Sequence, residues 1–444
     1  MERPLYYVTA LSNFARGYDK YARSYDKARI PESSFPERFF LLTRDELPIG
    51  INKAAHLPQK TGLPGDRLIA LETHATAEEL QPNLRTGLGR FVPRGQIDVD
   101  GVHLISEVGE LLPIAIEEAC ARSLKMIVGE LPPFAAMTPR SVSLLPIARA
   151  CPARCPFCFS KASVSDDMIT APLDWHRIDA VLGAARARGA TRAVITGGGE
   201  PTLMPRLELL CMVEMCARDF TTVVLISNGF KWGRMDEAAR AMALRELADT
   251  GLTVLSLSRH HHDDAANAAL MGLDTGSEKV AATWSRMHDT GLRMRWVCVL
   301  QRGGVEDPES LARYLDWAVD TGVGELCFKE LYVSTSIESE YHDHAANVWS
   351  AAHQVPLRLI VEFARAQGWP VATTLPWGAP VFAATWNGRP LKIAAYTEPS
   401  VLWELTNGLC RSWNLMADGR CLASLEDHRS EVLPRGLRSL SIVS

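Results

Sequence analysis

No stretch of the chain approaches the eighteen or so apolar residues of a membrane span, and its first twenty residues lack a cationic region followed by an apolar one. A cytoplasmic protein with no membrane partner is therefore expected. A basic excess is missing as well. The 47 Lys+Arg against 52 Asp+Glu give a formal charge of −5, which disfavours an extended nucleic-acid interface built on phosphate neutralisation. The sequence contains no internal repeat and no low-complexity tract. With 47% hydrophobic and 22% charged residues, ordinary packed cores are possible and global disorder is not expected. At 444 residues the chain exceeds one usual domain, so at least two are expected.

Its ten cysteines are unevenly spread. Seven are scattered (Cys120, Cys211, Cys216, Cys298, Cys327, Cys410 and Cys421), whereas Cys151, Cys155 and Cys158 crowd into eight residues. A chain of this length needs no disulfide staples, so chemistry or burial should account for them.

Residues 1–140 mix short apolar stretches with Pro, Gly and charged turns. The patterning predicts a helix over Thr43–Ala55, a strand over Arg67–Leu71, short strands within Gly89–Leu104 and a helix over Leu112–Ser123, with a Pro-rich linker around residues 129–141. From Ser141 a βα rhythm begins. Strands are predicted at 141–148, 192–196, 222–227, 252–258, 293–300 and 325–331. Helices are predicted at Leu173–Arg188, Pro205–Arg218, Met235–Thr250, Ser277–Thr290 and Pro308–Thr321, with a longer helical stretch from His342 to Gln367. The expected fold is α/β: a partial (β/α)6 TIM-like barrel over 141–335, an N-terminal α+β domain over 1–140 and a C-terminal extension over 336–444. In such a barrel the active site belongs at the strands' C-terminal ends.

Cys151-Pro-Ala-Arg-Cys155-Pro-Phe-Cys158 follows directly on the first predicted strand. Three thiolates on one loop can hold three irons of a [4Fe–4S] cluster, and no fourth cysteine is nearby to take the last. An open iron would then remain for a ligand, as in catalytic metal sites. A zinc site, which wants four ligands, and an ordinary cysteine-bearing loop are the competing readings.

The spacing, with Phe157 before the last cysteine, resembles the signature of the radical S-adenosylmethionine (SAM) superfamily. Thr196-Gly197-Gly198-Gly199-Glu200-Pro201, at the end of the second strand, is similar to that superfamily's Gly-Gly-Glu-Pro element. The resemblance implies a [4Fe–4S] cluster on Cys151, Cys155 and Cys158, whose open iron chelates the amino and carboxylate groups of S-adenosyl-L-methionine. It implies that Phe157 packs near the adenine, that Gly198 and Gly199 allow close backbone approach, and that Glu200 binds the methionyl ammonium. Ser227 and Asn228, ending the third strand, suit the ribose or carboxylate of SAM, a plain turn being the alternative. Family resemblance points to Ser256 or Ser258 for the same groups, and to Val299 and Gln301 along the adenine.

By alternation Ser256, Ser258 and His260 share one face of the fourth strand. His260 is a candidate for substrate contact or proton transfer. Its neighbours His261, His262, Asp263 and Asp264 diverge in direction, which weakens a second metal site. Lys329, Glu330 and Tyr332 end the sixth strand, where either substrate or a salt-bridged barrel end is expected. Residues 408–421, with Cys410 and Cys421, resemble in part the cysteine hairpin of SPASM/twitch extensions, but too few cysteines follow for a complete auxiliary cluster. The remaining scattered cysteines are expected to be small buried hydrophobes.

The resemblance implies reductive cleavage of SAM to a 5′-deoxyadenosyl radical, with electrons from a flavodoxin- or ferredoxin-type reductant, for C–H abstraction from a peptide or natural-product substrate. Modification of a nucleoside or RNA is the second reading. A non-catalytic iron–sulfur or zinc scaffold is the third. The lumen is expected to be mostly apolar with a few polar anchors.

Overall fold

The computed structural model describes residues 5–11, 29–31, 40–43, 67–73, 96–98, 101–106, 110–115, 118–119, 122, 133–147, 150–159, 173–333, 341, 344–399, 404, 407–425 and 430–433. The chain divides into two compact units, one of Met1–Pro132 with Pro399–Asn407, the other of Pro133–Glu398 with Gly408–Ser444.

In the first unit, strands β1 (Leu5–Ala10), β2 (Arg29–Pro31), β3 (Phe40–Thr43), β4 (Leu68–Thr73), β5 (Gln96–Asp98), β6 (Gly101–Ile105) and β7 (Leu111–Pro113) are antiparallel. Five of them form a sheet in the order β3-β1-β4-β6-β7, while β2 pairs with β5. Alternation along β1 and β4 puts Tyr6, Val8, Ala10, Leu68 and Ala70 into one buried cluster with Ile105. The strands expected near residues 67 and 89–104 are present as β4, β5 and β6. Two helix expectations need correction. Leu111–Pro113 is a strand, because a short connection folds it back antiparallel onto β6, and helix is described only at 118, 119 and 122. Thr43 closes β3, and the rest of the helix expected to Ala55 lies outside the described residues, as does Cys120.

The second unit is built on an eleven-stranded sheet. After β8 (Thr138–Pro139), six parallel strands follow in sequence order: β9 (Val142–Leu144), β10 (Ala193–Ile195), β11 (Val223–Ser227), β12 (Val254–Ser258), β13 (Arg293–Leu300) and β14 (Glu325–Glu330). Connecting helices are α1 (Trp175–Ala187), α2 (Arg206–Asp219), α3 (Phe230–Gly233), α4 (Glu237–Asp249), α5 (Asp264–Met271), α6 (Ser277–Trp284) and α7 (Pro308–Asp320). Four of these helices start on a capping aspartate. The side chains of Asp174, Asp236, Asp263 and Asp307 each accept a backbone N–H of the first turn.

The C-terminal residues add what periodicity did not reveal. Helices α8 (Ala345–His353) and α9 (Arg358–Ala366) replace the one long helix expected from His342. The chain breaks at Gln354–Leu357, where Pro356 cannot continue α8 and Gln354 bridges to Gln301. Strands β15 (Val371–Thr374), β16 (Pro380–Trp386) and β17 (Arg389–Tyr396) form an antiparallel meander whose last strand lies parallel to β14. At the opposite end, β18 (Leu409–Cys410) pairs with β8, β19 (Trp413–Leu415) lies parallel to β9, and β20 (Cys421–Leu422) turns back antiparallel. The parallel run therefore extends as β19-β9-β10-β11-β12-β13-β14-β17.

That run curls into a partial barrel. Arg411, beside β19 at one end, forms an ion pair with Glu398, just past β17 at the other. The helices cover its outer face. Trp296 of β13 packs on Trp317 of α7 at 4.9 Å between ring centroids, and Phe328 of β14 on Tyr314 of α7 at 5.4 Å. The last helix before β13 is shorter than its periodicity predicts, ending at Trp284 rather than Thr290. Trp284 Nε1 donates to the Leu292 carbonyl across the turn. No helix among the described residues is long and apolar enough to cross a membrane.

Candidate cofactor and substrate site

The cysteine loop leaves β9 and is pinned to the rim by backbone. Arg154 N–H donates to the Met271 carbonyl at the end of α5 (2.8 Å), and Cys158 N–H to the Cys155 carbonyl (3.2 Å). Cys151 is exposed, and Cys155 and Cys158 are half-buried free thiols. Next to this loop runs the glycine segment after β10. Glu200 N–H donates to the Ala150 carbonyl at 2.8 Å, and the approach is so close that a Cβ on Gly199 would lie 2.3 Å from that same oxygen.

Glu200 is buried, with 3% of its surface exposed. Its Oε1 accepts from the Thr202 N–H (3.1 Å), the Thr202 hydroxyl (2.7 Å) and the Ser227 hydroxyl (2.7 Å); Oε2 accepts from Asn228 N–H (2.8 Å). The carboxylate thus caps the short 3-10 turn at Pro201–Leu203 and ties β10 to β11. Only Oε2 keeps capacity for a further donor. Asn228 continues the chain of contacts, since its Nδ2 lies 3.6 Å from Cys151 Sγ. Glu200, Ser227, Asn228 and Cys151, separated by up to 77 residues in sequence, therefore meet at one edge of the rim.

Burial pushes the Cys151 thiol up, and the nearby Glu200 carboxylate and Cys158 thiol add to that. A thiolate there gains its stabilisation from a bound metal centre, which deprotonates a coordinating thiol outright. Among the described residues no three His, Cys, Asp or Glu side chains converge as ligands of one metal ion. The triplet's donor chemistry fits a four-iron cluster, whose thiolates bind separate irons. The cradle beside it, with an accepting carboxylate and no Cβ at Gly199, fits an ammonium-bearing ligand.

Phe157 packs edge-on against His260 at 5.0 Å and lies 5.9 Å from Trp349 of α8. Trp349 went unnoticed in the sequence because an aromatic on a helix reads by default as core. His260 is 3% exposed. Its Nδ1 accepts from Val299 N–H at 3.1 Å, which leaves the proton on Nε2, and its own N–H donates to Asn267 Oδ1 at 2.8 Å. Val299 is consequently tied to His260 through its backbone. Gln301 is fully buried; its Nε2 reaches back to the Val299 carbonyl at 3.4 Å while Oε1 has no partner.

Burial, with Arg259 adding, pulls the His260 imidazole down to about 3. It stays neutral at physiological pH and acts by hydrogen bonding, not as a charged acid. A protonation that the unfolded chain accepts below about 6.5 and the folded chain resists favours unfolding as pH falls from about 6.5 towards 3. Unfolding free energy should drop by up to about 1.4 kcal/mol per pH unit from this residue alone. Urea melts of the parent and of His260→Gln from pH 7 to 5 check this, and identical slopes would count against it.

The remaining histidines and aspartates of this loop do structural work. Asp263 caps α5, Asp264 and Glu278 pair with the buried Arg259, and Arg259 lies 4.7 Å over Trp317. Ser256 Oγ accepts from Arg295 Nε at 3.2 Å, and Ser258 is half-buried at the end of β12. Lys329 Nζ lies 3.4 Å from Glu398 and 4.7 Å over the Tyr396 ring. Glu330 accepts from the Thr397 hydroxyl (3.0 Å), and Tyr332 joins Phe159 in an aromatic contact at 4.6 Å. The polar anchors expected in a mostly apolar lumen include long charged side chains, Arg295 from β13 and Lys329 from β14.

The tail cysteines Cys410 and Cys421 are completely buried, and burial pushes Cys421 up to about 12. Cys216, Cys298 and Cys327 are also buried. Cys211 is the exception to the expected burial. It sits on the outer side of α2, whose inner side is Leu209, Met212, Val213 and Cys216.

Residues 145–326 match the family model of the radical SAM superfamily. That segment, less than half of the chain, is therefore a radical SAM domain, of a superfamily whose members are enzymes that use a [4Fe–4S] cluster and SAM. Comparison with curated proteins gives no match. Among solved structures, SuiB from Streptococcus suis bound to its precursor peptide SuiA is 15% identical, covering 70% of this chain and 64% of SuiB with a TM-score of 0.43. SuiB bound to SAM is 14% identical with the same coverage and TM-score. Coproporphyrinogen III oxidase (HemN) from Escherichia coli, described as a radical SAM enzyme, is 12% identical, covering 53% of this chain and 54% of HemN, with a TM-score of 0.37. The chain thus spans less than two thirds of the length of SuiB and of HemN.

Proposed function

We propose that this chain is a radical SAM enzyme that abstracts hydrogen from a peptide or natural-product substrate. The observation that carries the reading is the junction of Cys151, Asn228 and Glu200, which ties the cysteine loop to the glycine segment through side chains rather than sequence proximity. In it Cys151, Cys155 and Cys158 would hold the cluster. Glu200 would take the ammonium of SAM, with Ser227, Asn228, Ser256 and Ser258 near its ribose and carboxylate, and with Phe157, Gly198, Gly199, Val299 and Gln301 around the remainder. When bound, these groups supply one-electron reductive cleavage of SAM to a carbon-centred radical. The chain's own task is to orient and to exclude water. Phe157, His260 and Trp349 form an apolar flank beside the cysteine loop, and neutral His260 adds no charge that would draw solvent in. The N-terminal region, residues 1–140, is assigned to substrate recognition, and electrons would come from a flavodoxin- or ferredoxin-type reductant.

Anaerobic reconstitution, reduction with dithionite and assay for 5′-deoxyadenosine test the reading. About four irons per chain and SAM cleavage are expected; zinc without cleavage would sink it in favour of a scaffold. Glu200→Gln halves the acceptor capacity and should weaken SAM binding by about 100-fold, or about 2.7 kcal/mol, with iron content unchanged. Equal SAM affinity in parent and variant would remove Glu200 from the site.

A further inference from the structure

Charge inside the barrel is out of balance, and the cofactor reading does not use it. Along β13 the residues Met294, Trp296, Cys298 and Leu300 are buried on the helix side, so Arg295, Val297 and Val299 face inward. In β14 Phe328 packs on α7, leaving Lys329 to the inside. Arg411 reaches the same region from beside β19. Arg192, exposed at the foot of β10, lies within electrostatic range of Arg295 and of Tyr396.

Among the described residues two carboxylates face these cations: Glu398, and Glu325, which shares the inward face of β14 with Lys329 and lies in register with Arg295. Glu398 is shared by Lys329, Arg411 and the Tyr396 hydroxyl (3.0 Å). Glu330 takes Thr397, and Glu325 is held by Arg293 at 2.9 Å. Among the described residues no carboxylate pairs with Arg295 or Arg192. Arg295 has only the neutral hydroxyl of Ser256. Burial, with Arg411 and Arg295 adding, lowers the Lys329 ammonium to about 8, although a third of its side chain remains accessible. Partial desolvation, with Arg140, Arg295 and Arg293 adding, lowers Arg192 too, although the residue as a whole is exposed. Such a cluster is under-neutralised until an anion enters.

We propose that the inner face of the barrel binds substrate carboxylates, with Arg295 and Lys329 as their ligands, and that the substrate is an acidic peptide segment. This rests on the reading that substrate enters the barrel of a radical SAM enzyme. The guanidinium fork matches a carboxylate. Spacing favours a peptide over a phosphate. Lys329 pairs in register with Val299, four residues beyond Arg295, so the two charges are strung over about 13 Å of strand rise instead of closing a compact nest.

The test is calorimetric titration of the full chain, without cluster or SAM, with the peptide acetyl-Gly-Glu-Gly-Glu-Gly-amide, its Gln counterpart and inorganic phosphate. The acidic peptide should bind at least tenfold more tightly than the Gln peptide. Arg295→Met and Lys329→Met should each erase most of that preference, and Arg295→Lys should restore part of it. Arg192→Met, at an exposed position, should weaken binding several-fold without a folding risk. Binding should fade between pH 7 and 9 in the parent and not in Lys329→Met. Equal affinity for the Gln peptide, or unchanged affinity in all three Met variants, overturns the proposal. Tighter binding of phosphate overturns the peptide assignment, and displacement of the acidic peptide by SAM would give the charges to the cofactor's own carboxylate. Because no cluster is needed, a failure here is distinct from failure to cleave SAM.

Discussion

Cys155→Ala should yield a folded chain that holds little iron and forms no 5′-deoxyadenosine above background, a loss of at least a thousandfold. The loop around Cys155 is held by backbone, through Arg154 N–H to Met271 and Cys158 N–H to Cys155, and its sulfur makes a long contact to the Met271 carbonyl at 3.8 Å. Removing the thiol therefore costs little folding energy, while a three-thiolate site loses a third of its ligands. Iron analysis, SAM cleavage and a thermal melt on the same preparation separate the two effects. The exposed Cys211, on the outer side of α2, supplies the control, because Cys211→Ala should change none of the three. A Cys155→Ala chain that kept about four irons and full cleavage would dismantle the assignment of the triplet.

The order and direction of the barrel strands were readable in the sequence because the βα units carry local signals: a β-branched run and, at most of the helices, an Asp cap or a glycine after the last turn. The cysteine triplet and Glu200 were readable for a similar reason, being defined by spacing within a few residues. What stayed hidden depends on pairs far apart. Nothing local tells Arg389–Tyr396 to lie beside β14 or Trp413–Leu415 beside β9, and both pairings enlarge the barrel. The bond of Asn228 to Glu200 and the reach of Arg411 to Glu398 are likewise products of curling. Charged residues in strands 293–300 and 325–330 were legible as charges, but their inward direction follows only once Trp296 and Phe328 are seen to pack outward. In the same way His260 reads in sequence as a group for substrate contact or proton transfer, and the run to Asp264 becomes a buried hydrogen-bonding imidazole followed by a helix cap and an ion-pair partner in the fold.

Gly199→Ala should cost about as much SAM affinity as losing the Glu200 carboxylate, although it removes no polar group. The added Cβ would sit 2.3 Å from the Ala150 oxygen, 2.9 Å from the Ala150 carbonyl carbon and 2.6 Å from Ile147 Cγ2. Two of these atoms are backbone, so no side-chain rotation relieves the contact. The same Ala150 oxygen accepts the Glu200 N–H, and Ala150 immediately precedes Cys151. One methyl group therefore pushes the cysteine loop and the glutamate apart together. A displacement of about 1 Å at a positioning contact can cost on the order of 100-fold, so SAM affinity and cleavage should each fall by about that factor. The loss in unfolding free energy should be nearer 1–3 kcal/mol, as for an overpacked site. Gly183→Ala separates a specific steric effect from a general one. Gly183 lies inside α1 with nothing within 4 Å of its would-be Cβ, so alanine there should stabilise the chain by up to about 1 kcal/mol and leave SAM binding untouched. If Gly199→Ala bound SAM as the parent does, the cysteine loop and Glu200 would not be acting as one site, however close their backbones lie.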